Sequence, residues 1–105
     1  MSKEQIKRRR RPTHPGAILR EDILPACGIN QSQLAELLGI SRRTVNEIVN
    51  ERRPVTVDMA QRLSRILGNH PKFWLNLQAA VDLWDTQQQK RREYDKIKPL
   101  KLKVA

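Results

Sequence analysis

Amide, hydroxyl and guanidinium side chains are concentrated between residues 31 and 53 of this 105-residue chain. Arginine can donate two hydrogen bonds to guanine O6 and N7, and asparagine or glutamine can pair with adenine N6 and N7. The same groups donate to backbone phosphates, which sets register without reading sequence. The candidates for noncovalent recognition of DNA are therefore Gln31, Gln33, Ser41, Arg42, Arg43, Thr44, Asn46, Asn50, Arg52 and Arg53.

Apolar residues are interleaved with these polar ones at the spacing of two short helices. Leu34 and Leu38 lie one helical turn apart and form one buried stripe, while Val45 and Ile48 form a second. Residues 31–50 therefore predict a helix-turn-helix. In that motif the second helix enters the major groove with its N-terminal residues toward the base edges.

Three small residues fit the turn of this motif. Ala35 lets the two helices approach closely, Gly39 can adopt the left-handed conformation that ends the first helix, and Ser41 can cap the second. An ordinary helical hairpin with a solvated polar face is the alternative interpretation. A hairpin needs the apolar stripe but not the complete set of small residues, so the spacing favours the DNA-reading motif.

The position of each polar residue in the motif suggests its role. Gln31, at the start of the first helix, is expected to bond a phosphate. Arg42 or Arg43 is expected to read guanine and Asn46 to read adenine, each good pair discriminating by roughly 1–3 kcal/mol. Thr44 is expected to touch a thymine methyl group or a phosphate.

The net charge of +10 lies mainly at the two ends of the chain. Residues 1–12 hold six bases against one acid (+5), residues 85–105 hold seven against three (+4), and the middle is left with +1. We expect residues 1–11 to form a basic arm that adds phosphate contacts, with a solubilising tail as the alternative. Within the middle, Arg52 and Arg53 follow the second helix and are expected to meet phosphates.

Spacings of three and four predict an all-α, five-helix bundle over residues 12–85, followed by a partly helical or disordered extension over residues 86–105. The first helix is predicted to start at Pro15 or Gly16 and to end at Leu24, because a proline and a glycine follow. The other predicted boundaries are caps at Asn30 and Thr56, an end at Gly68 and a start at Pro71, with Pro25 and Gly28 as the interruption.

The fifth helix carries both tryptophans. Trp74, Leu77, Val81 and Trp84 follow a three-four-three spacing and are predicted to line one seam, widened by neighbouring apolar residues. A chain of this size has a modest core, so part of the seam is expected to face a second subunit. A two-fold dimer would place two recognition helices about 34 Å apart and read an inverted repeat.

Composition argues against several other classes of protein. No apolar run approaches the roughly 20 residues that span a bilayer and no basic-then-apolar leader opens the chain, so we expect an unexported, cytoplasmic protein without a membrane partner. The single cysteine, Cys27, is expected to be a half-buried structural residue. His14 and His70 have no metal-ligand spacing and are assigned capping or loop roles, so we expect no metal, no cofactor and no enzyme activity.

Three short stretches resemble one family. They are HPGAILR at residues 14–20, RPVT at residues 53–56 and FWLNLQ at residues 73–78. In these stretches the chain is similar to the HigA-type (VapI-like) antitoxins, a branch of the phage-repressor (Xre) helix-turn-helix superfamily. The resemblance covers about residues 12–85 and implies a lambda-repressor-like fold.

The same resemblance implies partners. It implies a homodimer that neutralises a HigB-type toxin, a RelE-like enzyme that cuts messenger RNA, and that represses its own operon at a palindromic operator. A stand-alone Xre regulator without a toxin is the alternative, and it shares every residue named above. The toxin-contacting segment is left open between the arm and the C-terminal tail.

The chain departs from the family just after the second helix. Many relatives carry Asn-Gly there, whereas this chain has Asn50-Glu51. We expect Asn50 to adopt the left-handed conformation of the turn, and Glu51 to repel DNA if it faces phosphate. At the other end, residues 101–104 alternate as a strand does, with a frayed terminus as the alternative.

Overall fold

The computed structural model describes residues 10–101 and shows five helices and no strand within that range, which confirms the predicted all-α class. Helix α1 covers residues 15–27, built from Pro15–Ile18, a π-helical turn Leu19–Ile23 and a final segment Leu24–Cys27. The others are α2 (Gln31–Leu38), α3 (Arg42–Val49), α4 (Val57–Leu67) and α5 (Pro71–Asp95).

A side-chain cap begins each of the five helices described in residues 10–101. His14, Asn30, Ser41, Thr56 and His70 each accept a hydrogen bond from a backbone N–H in the first turn of the helix that follows. The predicted caps at positions 30, 41 and 56 are confirmed, and both histidines cap as expected. The five starts are thereby fixed by local chemistry.

The predicted end of α1 at Leu24 is wrong, because the helix continues through Pro25 and ends at Gly28 in the left-handed conformation. The amide of Leu24 bonds the carbonyl of Leu19, five residues back, in a π-helical turn. Pro25 then lies in the first turn of the closing segment, where the missing N–H of proline costs little.

The core forms where α2, α3 and α4 meet the start of α5. Trp74 is completely buried at its centre, and its indole Nε1 donates to the Asn69 side chain at 3.3 Å. Its neighbours include every apolar residue predicted for the two stripes of the helix-turn-helix. The buried apolar cluster is Leu19, Leu34, Ala35, Leu38, Val45, Ile48, Val49, Val55, Met59, Ala60, Leu63 and Trp74.

The four seam residues predicted on α5 divide between the core and the surface, and whether the seam faces a second subunit stays a prediction. Trp74 and Val81 point into the core, but Leu77 and Trp84 are only partly buried. A helix turns 100° per residue, so the innermost line runs through positions 74, 78 and 81, and the polar Gln78 takes the place between the two apolar residues. The sequence favoured Leu77 because it is apolar.

Beyond the core, α5 continues as an exposed helix. Every residue from 86 to 101 is exposed, and Lys90 interrupts the regular helical geometry with φ −115° and ψ 18°. No helix in residues 10–101 is long and apolar enough to cross a membrane. Cys27 is exposed at the end of α1 and not half-buried, because the extra turn carries it beyond the neighbouring helices. The arm up to residue 9 and the strand expected at 101–104, except for its first residue, lie outside the described residues.

Candidate nucleic-acid interface

Helix α4 contacts the turn between α2 and α3 through Arg62. Gly39 adopts the left-handed conformation predicted for it, with φ 69°. Arg62 donates from Nη1 to the carbonyl oxygen of Leu38 at 2.8 Å, and its Nε bonds Asp58 at 2.9 Å. The guanidinium thus satisfies a carbonyl that the end of α2 leaves without a helical partner. This contact ties the end of α2 to α4.

Two hydroxyl groups meet at the start of α3, the recognition helix. The Thr44 N–H donates to Ser41 Oγ at 3.1 Å, and the two side-chain oxygens lie 2.8 Å apart. Ser41 is exposed and Thr44 is half-buried. The N-terminal turn is therefore ordered, and its positive dipole end points outward, as an anion or a phosphate requires.

An amide pair links the two helices of the motif. Asn46 Nδ2 donates to Gln31 Oε1 at 3.0 Å across 15 residues of sequence. One Asn46 N–H and its Oδ1 remain to pair with an adenine edge, and the Gln31 amide N–H groups remain to donate to a phosphate. The sequence predicted a role for each residue separately, and the structure brings them together as one unit.

Glu47 lies between two arginines on the outer side of the recognition helix. Arg53 donates to Glu47 Oε1 from Nη2 at 2.6 Å and from Nε at 2.9 Å, and Arg43 Nε lies 3.5 Å from Oε2. The Arg53 guanidinium lowers the pKa of the Glu47 carboxyl, and the charge of Arg43 lowers it further. The carboxylate is therefore ionised at neutral pH, and of the two arginines Arg43 has the more exposed side chain, at 86% against 47% for Arg53.

The recognition helix ends in a turn that the sequence assigned to the wrong residue. Asn50 has φ −92°, whereas Glu51 is the left-handed residue with φ 62°. The Arg52 N–H bonds the Glu47 carbonyl at 2.8 Å and the Glu51 N–H bonds Ile48 at 2.9 Å, the two bonds of a Schellman motif. That motif puts the left-handed residue one position beyond the cap.

Glu51 also points away from the recognition face. Its carboxylate accepts from Arg11 Nη1 at 2.9 Å and lies 3.4 Å from Arg20 Nη1. Arg20 in turn donates to the carbonyl of Val49 at 2.6 Å, which caps the end of the recognition helix from α1. The predicted repulsion between Glu51 and phosphate is thus offset, because two guanidinium groups neutralise the carboxylate.

The HPG segment places α1 directly against the recognition helix. His14 Nδ1 accepts from the Gly16 N–H at 2.8 Å, and burial lowers the pKa of His14. A Cβ atom at Gly16 would overlap the carbonyl oxygen of Ile48. Only glycine therefore allows this approach of two backbones.

A buried glutamine holds the loop that follows. Gln78 Oε1 accepts from the Val55 N–H at 2.9 Å, and its Nε2 donates to Asp82 at 2.9 Å. The Val55 N–H is buried, so without the Gln78 side chain it would have no hydrogen-bond acceptor. Sequence reasoning missed this role, although the residue closes the FWLNLQ segment.

The remaining candidates differ in how much of each side chain is available. Arg42, Asn50 and Arg52 are exposed, whereas the Gln33 side-chain oxygen accepts from the Asn30 N–H at 2.9 Å in a capping box. Gln33 therefore has only its amide N–H groups to offer. Within residues 10–101 no group of three or more His, Cys, Asp or Glu side chains could hold a metal ion.

The chain is similar to known helix-turn-helix proteins in sequence. The helix-turn-helix family model matches residues 19–74. Antitoxin HigA-1 of Vibrio cholerae serotype O1 is 43% identical over 94 residues, which cover 90% of this chain and 89% of the relative.

Two solved structures are similar in fold as well as in sequence. The Pseudomonas aeruginosa antitoxin HigA with higBA promoter has a TM-score of 0.82 and 39% identity, and covers 87% of this chain and 100% of its own. The antitoxin GraA in complex with its operator has a TM-score of 0.81 and 45% identity, and covers 89% of this chain and 95% of its own.

Proposed function

Because the chain belongs to the helix-turn-helix family, in its branch of HigA-type antitoxins, we propose that it neutralises a HigB-type, mRNA-cleaving toxin and represses its own operon at a palindromic operator. The observation that carries the DNA-reading half is the Gln31–Asn46 amide pair beside the exposed Arg43 fork. These groups lie at the N-terminal half of the recognition helix, and α1 and α4 contact the ends of the two helices of the motif.

Within this proposal each polar residue has one task. Asn46 pairs with an adenine edge, Arg43 or Arg42 donates to guanine, and Gln31 donates to the phosphate that sets register. Phosphates are further bound by the hydroxyl, amide and guanidinium groups around the helix, namely Gln33, Ser41, Thr44, Asn50 and Arg52, and by Arg53 when Glu47 releases it.

The dimer that reads a palindrome is proposed to form through the side of α5. Phe73, Leu77, Ala80 and Trp84 recur every three or four residues beside the buried line, and all four are at least partly exposed. A groove of about 370 Å³ runs along this stripe, lined by Pro12, Thr13, Phe73, Asn76, Leu77 and Ala80. An unpartnered apolar stripe beside a small core is suited to a second copy of the chain.

The dimer has a matched test. Leu77→Lys is expected to give a monomer by sedimentation and to weaken binding to an inverted repeat. Leu83→Lys makes the same change on α5 at a residue that is already 72% exposed, and is expected to leave the dimer intact. A dimer that survives Leu77→Lys would place the interface elsewhere.

The toxin half is tested by co-expression with the small open reading frame next to the gene. Co-purification and rescue of growth are the expected results. If neither occurs while the protein still binds the DNA upstream of its operon, the antitoxin role is wrong and a stand-alone regulator remains. If the protein binds toxin but no DNA, the repressor role is wrong. The two halves of the proposal therefore fail separately.

A further inference from the structure

Glu47 is an acidic side chain on a surface proposed to bind a polyanion, and that placement needs an explanation. It is ionised, it is only 26% exposed, and its two oxygens face two different arginines. One arginine belongs to the recognition helix and the other to the loop behind it. The carboxylate therefore controls what both guanidinium groups can do.

We propose that Glu47 is a specificity-determining residue, which withholds Arg53 from the phosphates of non-cognate DNA and holds Arg43 in position for base reading. The inference rests on the proposed DNA-reading function and adds a residue to it. It follows from the geometry of one carboxylate shared by two guanidinium groups.

The contact between Glu47 and Arg53 is what keeps Arg53 from binding phosphate. Two donors of the same guanidinium, Nη2 and Nε, converge on Glu47 Oε1. A phosphate must compete with this charge-assisted pair before it can bind Arg53. Non-specific binding consists almost entirely of such phosphate contacts. The affinity for non-cognate DNA therefore falls when an arginine is withheld from phosphate.

The contact between Glu47 and Arg43 is what holds the Arg43 side chain in position to read a base. The contact that joins Glu47 to Arg43 runs from Oε2 to Nε at 3.5 Å, one helical turn away. The Nη1 and Nη2 groups at the tip of the fork stay available for guanine O6 and N7. A cognate base therefore meets an arginine whose direction is already restricted, whereas a wrong base gains nothing from it.

The test compares Glu47→Gln with the natural chain on two probes, a random-sequence duplex and the duplex enriched from a random pool by the natural protein. For each bound subunit, the variant is expected to bind the random duplex about eightfold more tightly at about 0.1 M salt, with a salt slope steeper by about 0.9, as for one added phosphate contact per subunit. Affinity for the enriched duplex is expected to change less than the affinity for the random one, so the specificity ratio falls.

Two matched variants separate this role from simpler ones. Glu93→Gln makes the same change of net charge on the exposed end of α5 and is expected to leave the specificity ratio unchanged. Arg53→Gln is expected to alter random-duplex affinity less than twofold in the natural chain but to cancel the gain in the Glu47→Gln background. Melting curves establish that every variant is folded.

Three outcomes would overturn the inference. An equal gain in Glu93→Gln would assign the effect to net charge alone. Loss of affinity for the enriched duplex only, with the random duplex unchanged, would mean that Glu47 contacts a base itself. A full effect of Glu47→Gln in the absence of Arg53 would exclude withholding. If no duplex is enriched from the pool, the proposed operator binding fails instead, and the random-duplex measurements still judge Glu47.

Discussion

Arg11 and Asp85 are 74 residues apart in sequence and form a two-bond ion pair, with Nε–Oδ1 and Nη2–Oδ2 distances of 2.8 Å each. Arg11 also bonds Glu51, so one guanidinium ties the start of the described chain to α5 and to the end of the recognition helix. This residue was expected to belong to a basic arm that binds phosphate. Its charge is instead used within the fold.

The Arg11–Asp85 pair is expected to contribute a modest coupling free energy, about 0.5–1 kcal/mol, because both side chains are more than a third exposed. Denaturant unfolding of Arg11→Gln, Asp85→Asn and the double variant measures it as a double-mutant cycle. Arg65→Gln, an exposed arginine on α4, serves as the control. Fully additive single effects would show that the pair has no energetic role.

Substitutions of Glu51 should separate backbone strain from charge. Glu51→Gly relieves a left-handed conformation that costs a residue with a Cβ about 1–2 kcal/mol, but it loses the contacts to Arg11 and Arg20. Glu51→Gln loses the charge and keeps the strain. We therefore expect the glutamine variant to melt at a lower temperature than the glycine variant. The opposite order would mean that the neutral hydrogen bonds a glutamine side chain can keep contribute more than the relief of strain.

Gly16→Ala is expected to be severely destabilising, by roughly 3 kcal/mol, although alanine is usually the better helix former. The added Cβ would overlap the Ile48 carbonyl oxygen, which is part of the recognition helix. Circular dichroism melting gives the stability. Ala17→Gly, the reverse exchange at the next position, is the comparison and should cost only about 1 kcal/mol. Unchanged stability of Gly16→Ala would contradict the close approach.

Stability should fall when the pH drops below the ordinary pKa of histidine. Burial lowers the pKa of His14 below the ordinary histidine value of about 6.5, so the unfolded chain binds a proton that the folded chain does not. This contribution is fully present above pH 6.5 and is lost as the pH falls toward the lowered value.

Melting temperatures at about pH 7.5 and about pH 5.5 test this expectation. His14→Asn keeps an N-cap acceptor without a titrating group, so the difference between the two temperatures should shrink. Asp85 and Glu47, whose pKa values are lowered by Arg11 and Arg53, lose their contributions only below the ordinary range of carboxylates. An unchanged difference in His14→Asn would exclude His14 as the source.

Gln78→Leu is expected to cost about 1–3 kcal/mol, because the buried Val55 N–H loses its acceptor. The change keeps the volume roughly constant and makes the innermost line of α5 fully apolar. Urea unfolding measures the loss, with Gln61→Leu on the exposed side of α4 as the control. A stabilised Gln78→Leu would mean that apolar burial outweighs the hydrogen bond.

Local signals in the sequence predicted most of the fold. Asn30, Ser41 and Thr56 act through bonds to their own helices, and the stripe of Leu34 and Leu38 is a matter of spacing, so neither needs knowledge of the rest of the chain. The end of α1 could not be predicted, because a π-helical turn leaves no composition signal.

What the sequence missed at the candidate site depends on contacts between distant segments. Arg11 meets Asp85, Val55 meets Gln78, and Asn46 meets Gln31, at separations from 15 to 74 residues. Charge counting assigned Arg11 to an arm because a sum over residues does not record which charges are paired. Such pairings require the packed helices to be known first.

The close approach of Gly16 to Ile48 leaves no layer of side chains between α1 and the recognition helix. Packed helices slide past one another by exchanging side-chain arrangements, and at this contact there is no side chain to rearrange. The recognition helix and α1 therefore form one rigid unit. A displacement of α1 would accordingly move the whole recognition surface instead of changing the angle between these two helices.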